Sequence, residues 1–455
     1  MISLQYVLFG AGSFSALRSG LNFGWPSYAL PQLLSNNSAV SLTNDEGSWI
    51  ASMFVFEMIF GSLLATITVN AFGRKTMLLV ASVPLCGNWL LIAYAKTSWS
   101  LYLARFIAGI SDGLFFSSFP MFLAEVCNSK IRGFLITGVV AVMFIGVFLA
   151  NLFGAFLSMS NVVFICAVLA IVPVCLYLII PESPQFYIIK RNANRAKISL
   201  KKFNKNDNAD VMLNLLNDTF TNQQNNKISW WQLFADKYNV KTLVLAVMLK
   251  FIHQFSGIVG ITSYMETIFM KVKIDIDPIV FISVYFLLQL LISILTAFLI
   301  DRVGRRPLLL ISMSSVTVGL FSVTIYFVLD STQQENAPNY SWLAILGLFI
   351  YIIGYTLGLD NVPLVICSEI FTLNFKSYAI GITNAIFGLT GTAIPKIFQY
   401  TSDQYGAYVP FLIFAICSFC GLVFIYFFVP ETKRKTLEEI QFWLKSKKSM
   451  IVRPD

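Results

Sequence analysis

Seven ionisable side chains sit inside stretches that are otherwise almost wholly apolar: Arg18, Glu57, Arg105, Asp112, Lys250, Glu266 and Asp360. A charge in such surroundings is costly to keep and marks a functional position by default. The chemistry on offer is binding and pairing, not bond making. The seven cysteines are scattered and odd in number, which argues against a disulfide framework, and none has histidine partners at metal-ligand spacing. Cys417-x-x-Cys420 falls within an apolar run and reads as packing. No glycine-rich phosphate loop follows a strand, and no nucleophile stands near a base. The residues predict no metal, no cofactor and no enzyme. His253 is the one histidine, either a binding group or a satisfied core residue.

The elements that must hold these residues are spelled out by composition. The chain has 455 residues, 57% hydrophobic and 12% charged, where a soluble chain carries roughly a quarter charged residues. About a dozen stretches reach the roughly 20 apolar residues that a bilayer-crossing helix needs. Lipid tolerates only helices and closed barrels, and these runs are too long and unalternating for barrel strands. The sequence therefore predicts an all-α membrane protein with twelve transmembrane helices, at about 5–33, 48–69, 76–95, 99–123, 134–157, 161–181, 241–270, 278–300, 307–329, 341–366, 377–400 and 408–429. The apolar start reads as the first span, with no charged region or cleavage site of a signal peptide.

A basic, polar hinge from Pro181 to about Tyr238 divides the chain. It predicts a six-helix half over 1–181, a cytoplasmic linker with short helices over 182–240, a second half over 241–429, and a cytoplasmic tail over 430–455. The formal net charge of +9 belongs to loops on the hinge side (Arg74, Lys75, Lys130, Arg132, Arg302, Arg305, Arg306, Lys376). That is the positive-inside bias, not a nucleic-acid stripe. Sequons at Asn36 and Asn339 fall in predicted outside loops, and the one at Asn217 falls in the hinge.

The halves repeat one another. Glu125 precedes Arg132 as Glu369 precedes Lys376, and Gly73-Arg74-Lys75 returns as Gly304-Arg305-Arg306. Leu17-Arg18-x-x-x-Asn22-Phe23-Gly24 in span 1 is echoed by Leu249-Lys250-x-x-x-Gln254-Phe255-Ser256 in span 7. Duplicated six-span halves are the build of a secondary transporter, with its substrate site between them.

With these features the chain resembles the sugar porters of the major facilitator superfamily over nearly its whole length. Pro181-Glu182-Ser183-Pro184, Asp301-Arg302-Val303-Gly304-Arg305-Arg306 and Pro430-Glu431-Thr432-Lys433 are similar to that family's signatures. Gly24-Trp25-Pro26-Ser27-Tyr28-Ala29-Leu30-Pro31 and Glu46-Gly47-Ser48-Trp49 resemble its insect trehalose and glucose facilitators. The resemblance implies an inner latch of Arg74, Glu125, Arg132 and Glu182 in the first half. In the second it implies Asp301, Arg305, Arg306, Glu369, Lys376 and Glu431. Asn70 and Gln185 replace an acid and an arginine of the pattern, so the first latch is expected to be the weaker.

The pocket departs from the pattern. His253-Gln254-Phe255-Ser256-Gly257-Ile258-Val259 lacks one glutamine and the asparagine, Val140 replaces the span 5 glutamine, and Phe387-Gly388 replaces the span 11 asparagine and tryptophan. The surviving candidates are Gln254, His253, Gln289, Asn22 and the outer-gate candidate Tyr264. Lys250 and Asp360 lie at similar rises from the inner ends of spans 7 and 10 and are expected to meet, mirrored in the first half by Arg18 and Asp112, either as a static pair or as one that engages a charged substrate or a proton in one conformation. Facilitated movement of trehalose or a hexose is what the resemblance implies, by a monomer in the plasma membrane. The alternatives are a proton- or ion-coupled carrier of another solute and a non-transporting sensor or inactive paralogue.

Overall fold

A computed structural model of the chain describes residues 4–35, 40, 42–127, 129–203, 213, 237–273, 277–332, 337–371 and 376–433. Regular structure among the described residues is helical throughout. In chain order the first helices are α1 (Leu4–Leu33), α2 (Asn44–Phe72), α3 (Arg74–Ala93), α4 (Ser98–Val126), α5 (Ser129–Phe156) and α6 (Met159–Ile179). Two short helices come next, α7 (Pro184–Ile189) and α8 (Ala193–Phe203). Then come α9 (Lys237–Phe255), α10 (Ile258–Ser263), α11 (Met265–Met270), α12 (Pro278–Val303), α13 (Arg305–Thr332), α14 (Ser341–Gly354), α15 (Val362–Ile370), α16 (Lys376–Tyr405) and α17 (Tyr408–Phe428).

Among the described residues, ten stretches are long and apolar enough to cross a membrane. α1 and α16, at 30 residues each, have the length but a more polar composition. Helix starts are written locally. Thr43 and Glu46 form a capping box at α2, the Thr43 hydroxyl accepting from the Glu46 amide at 3.2 Å and Glu46 accepting from the Thr43 amide at 2.9 Å. Thr97 and Ser158 cap α4 and α6 through their hydroxyls.

Two of the expected spans are broken. The stretch expected as one helix over 241–270 is α9, α10 and α11, interrupted at Gly257, whose φ is +88°, and at Tyr264. The stretch expected over 341–366 is α14, a π-turn over Tyr355–Leu359, and α15. Irregular backbone at such depth survives where neighbouring protein satisfies it, and π-turns gather at functional sites. Here the Ser312 hydroxyl donates to the Gly354 carbonyl at 2.6 Å and accepts from the Leu359 amide at 2.8 Å, stitching the turn to α13.

Two compact units are present, one on Met1–Lys227 with Thr262–Thr267 and Pro278–Phe286, the other on Ile228–Ile261, Ile268–Asp277 and Leu287–Asp455. Within the first, α1 packs along α5, α2 along α4, and α3 against α4 and α6. Lipid supplies no hydrophobic drive between helices, so small residues that let backbones approach set such contacts. Gly20 of α1 is an example: a Cβ there would lie 1.9 Å from the Met143 carbonyl oxygen of α5. Within the second unit α13 is central, against α14 and α17, and α9 packs on α16.

The first part of the linker is folded. α8 turns Ala196, Ser199, Leu200 and Phe203 inward and leaves Lys201 and Lys202 exposed. Phe203 joins the core built on Leu8, Phe119, Phe122 and Tyr177, meeting Phe122 edge-on at 6.1 Å. Ser199 donates to the Glu182 carbonyl at 2.6 Å. The apolar foot expected at Trp230 and Trp231 lies outside the described residues.

Candidate functional site

The two cytoplasmic signatures build the same device. Gly73 and Gly304 have φ of +102° and +109°, a backbone that side-chain-bearing residues rarely adopt. Each lets the chain turn sharply into the next helix. The first amides of α3 then face Glu182, which accepts from Arg74 N at 2.9 Å and Lys75 N at 3.0 Å. The first amides of α13 face Glu431, which accepts from Arg305 N and Arg306 N, both at 3.1 Å. Unsatisfied amides and the positive end of the helix dipole make this a carboxylate seat. A Cβ on Gly73 would stand 2.2 Å from Glu182 Oε2, and one on Gly304 would stand 2.8 Å from Glu431 Oε2.

Around the first seat the Arg74 guanidinium forks onto Glu125, Nη2 at 2.9 Å and Nε at 3.0 Å. Ser183 also donates to Glu125. Around the second, Arg306 donates to the Tyr426 carbonyl at 2.6 Å and Arg305 to the Ile300 carbonyl at 3.4 Å. The other expected latch members, Arg132, Asp301, Glu369 and Lys376, have side chains outside the described residues. The seats were not legible as such, because their donors are main-chain amides rather than the arginine side chains beside them.

Deeper in the first unit runs a polar strip. Arg18 and Asp112 pair at 3.5 Å with 1% and 0% of their side-chain surface exposed, and Ser19 donates to Asp112 at 2.7 Å. Arg18 Nε and Nη1 find no partner among the described residues. Asn22 is fully buried and joins this strip, donating to the Arg18 carbonyl at 3.2 Å and accepting from Asn88 at 3.3 Å. Arg105 ties α4 to the neighbouring helices through the Asn22 carbonyl at 2.8 Å and the Ile50 carbonyl at 3.2 Å. Its guanidinium also lies 4.7 Å from the Phe54 ring centre and 5.6 Å from that of Trp25. Glu57 is fully buried, and neither carboxylate oxygen has a hydrogen bond among the described residues.

The second unit gathers a different cluster, at the break in α14–α15. The Tyr355 hydroxyl meets His253 Nε2 at 2.8 Å and lies 3.5 Å from Asp360, while Asn361 donates to Asp360 at 3.1 Å. Gln254 donates to the Phe387 carbonyl at 3.1 Å, and its own amide oxygen is buried without a partner among the described residues. His253 packs its ring at 5.1 Å from Phe387 and 5.4 Å from Tyr355, with Nδ1 likewise unpartnered. Lys250 places its ammonium 4.8 Å from the Phe387 ring centre.

The expected Lys250–Asp360 ion pair is not formed: they sense each other's charge, but the ion pairs among the described residues are Arg18–Asp112, Arg74–Glu125 and Lys273–Asp330. Asp360 instead accepts from Asn361 and lies beside the Tyr355 hydroxyl, while Lys250 faces the Phe387 ring. Tyr355, the link between His253 and Asp360, was not among the expected site residues.

The other candidates are placed singly. Gln289 on α12 is buried, at 3% exposure, and Tyr264 is buried at the break between α10 and α11. Asn339 is exposed in a short 3-10 helix ahead of α14, and Asn36 lies outside the described residues. Among the described residues no cluster of ligating side chains could hold a metal ion.

Residues 13–443 match the model of the family described as sugar (and other) transporter. The chain is 26% identical over 440 residues to the facilitated trehalose transporter Tret1 of Bombyx mori, covering 95% of this chain and 86% of that one. It is 28% identical to the Drosophila mojavensis protein of the same name over 94% of this chain, and there it spans about half of the relative, 50%. In structure it is similar to the inward-open xylose transporter XylE from E. coli, with a TM-score of 0.80 at 22% identity, over 96% of this chain and 99% of that one. The proton:xylose symporter XylE bound to 6-bromo-6-deoxy-D-glucose gives a TM-score of 0.77 at 20% identity, over 97% and 99%.

Proposed function

The chain belongs to the sugar (and other) transporter family of multi-pass membrane proteins, and from that premise we propose that it moves a sugar, trehalose or a hexose, passively across the plasma membrane as a monomer. The observation that carries this reading is the cluster of Gln254, His253, Tyr355 and Asp360 on two interrupted helices. Unwound segments at mid-depth are where secondary transporters bind solute. A sugar arrives with many hydroxyls, and each one left unpaired after losing water costs about 1–3 kcal/mol. Gln254 Oε1 and His253 Nδ1, both without partners among the described residues, are of the kind that restores such bonds.

The two carboxylate seats support a gating role. Each closes a helix start against the end of another apolar segment with two backbone amides and one carboxylate. Such seats hold an inner gate shut and release as a unit. Within the first unit Asn22 and Tyr264 are proposed as a substrate and an outer-gate residue, and within the second Gln289 as a substrate residue. A proton-coupled variant of the same carrier is favoured by one feature, Glu57, whose buried carboxylate has no hydrogen bond among the described residues. Uptake of labelled trehalose and glucose into proteoliposomes, with and without a protonophore, separates these readings. Saturable uptake indifferent to the protonophore supports the passive carrier, and uptake that collapses with it supports the coupled one.

A further inference from the structure

We propose that the cluster in the second unit selects a hydroxylated monocarboxylate, a sugar acid, over the neutral sugar. This rests on the transport reading above and names the substrate class of the same site. Lys250 and His253 are each 7% exposed, and Phe387 and Asp360 are partly open, so the cluster borders accessible space while its charges are largely stripped of water. Among the described residues the Lys250 ammonium has no hydrogen bond and no ion pair; its near neighbour is the face of Phe387. A ring face attracts a cation but uses none of its three N–H donors. Asp360 does not answer that need, since it forms no ion pair with Lys250 among the described residues and accepts instead from Asn361.

The histidine supplies a second donor. The Tyr355 hydroxyl is 2.8 Å from His253 Nε2 and 3.5 Å from Asp360, and the shorter contact takes the hydroxyl proton. His253 then carries its own proton on Nδ1, which has no partner among the described residues. Lys250 and His253 are three residues apart on α9, and Gln254 is four from Lys250, so all three share one face. The unfilled groups are therefore an ammonium, an imidazole N–H and the Gln254 amide oxygen. A carboxylate satisfies the first two and an adjacent hydroxyl donates to the third. A single lysine with Asp360 nearby suits one negative charge and disfavours a dianionic phosphate.

The test is ligand-dependent thermal stabilisation of the purified full-length carrier with glucose, gluconate and glucose 6-phosphate. Gluconate is expected to bind at least about tenfold more tightly than glucose, about 1.4 kcal/mol, and the phosphate no better than glucose. Lys250→Met should bring the ratio of gluconate to glucose affinity within about twofold of one. His253→Phe keeps the ring packing and should cut the ratio about threefold or more, which decides the matter if Lys250→Met is not recovered folded. A wild-type ratio near one, a preference for the phosphate, or a ratio unchanged in these variants overturns the inference. Flux of neutral sugar without acid preference sinks this inference alone. Acid-selective binding without flux in proteoliposomes upholds it and sinks the transport reading.

Discussion

Removing one partner of the Arg18–Asp112 pair should be far more damaging than removing both. The pair lies at 3.5 Å with both side chains fully or almost fully buried. At an effective dielectric constant near 20, Coulomb attraction at that separation is about 5 kcal/mol. Arg18→Met would leave Asp112 with the Ser19 hydroxyl alone, and Asp112→Leu would leave the guanidinium with no carboxylate. Breaking a buried pair from one side costs about 3–5 kcal/mol because the other charge is stranded. The double replacement by apolar side chains of similar volume should return to within about 1 kcal/mol of the wild type. The assay is a double-mutant cycle on unfolding of the detergent-solubilised carrier. A coupling energy of about 5–10 kcal/mol is expected, from two single losses of about 3–5 kcal/mol each and a double loss of no more than about 1. A coupling below about 1 kcal/mol, or a double variant as unstable as the two single losses added together, would refute the reasoning.

The remaining predictions concern the seats, the pocket and the linker. Glu182→Gln and Glu431→Gln should each weaken two amide bonds, shift the carrier towards an open inner gate, and cost about 1–3 kcal/mol of closed-state stability. Labelling of cysteines introduced at the inner mouth checks this, and unchanged labelling in both variants counts against the gating role. Gly73→Ala should be worse than Glu182→Gln, because it adds backbone strain at φ +102° to a clash with the seated carboxylate; expression and thermal stability read it out. Gln254→Ala should weaken sugar binding by about 1–3 kcal/mol, measured as a dissociation constant. Phe203→Ala should loosen α8 from its core at a cost of about 3–5 kcal/mol, seen as faster proteolysis within the linker.

Ten of the expected spans stand among the described residues as stretches long and apolar enough to cross a membrane, and they could be read from the sequence because that demand leaves a plain trace. The carboxylate seats were half legible. Gly73 and Gly304 before basic residues, with Glu182 and Glu431 in matching phrases, pointed to the partners, but the donors are main-chain amides that every residue except proline possesses. Arg18 and Asp112 were expected only as the mirror of Lys250 and Asp360 in the repeat, and they pair at 3.5 Å. Similar depth did not make an ion pair of Lys250 and Asp360: Lys250 faces Phe387, and Asp360 accepts from Asn361. The π-turn just upstream of Asp360 is held by Ser312 bonding to Gly354 and Leu359, a contact between segments that no local pattern announces.

The central claim is tested most directly by counterflow in proteoliposomes loaded with unlabelled hexose and diluted into a trace of labelled hexose. A transient accumulation of label is expected that needs no ion gradient, saturates with internal sugar, and falls in Gln254→Ala. Label entering no faster than into protein-free liposomes, for every sugar offered, would contradict it.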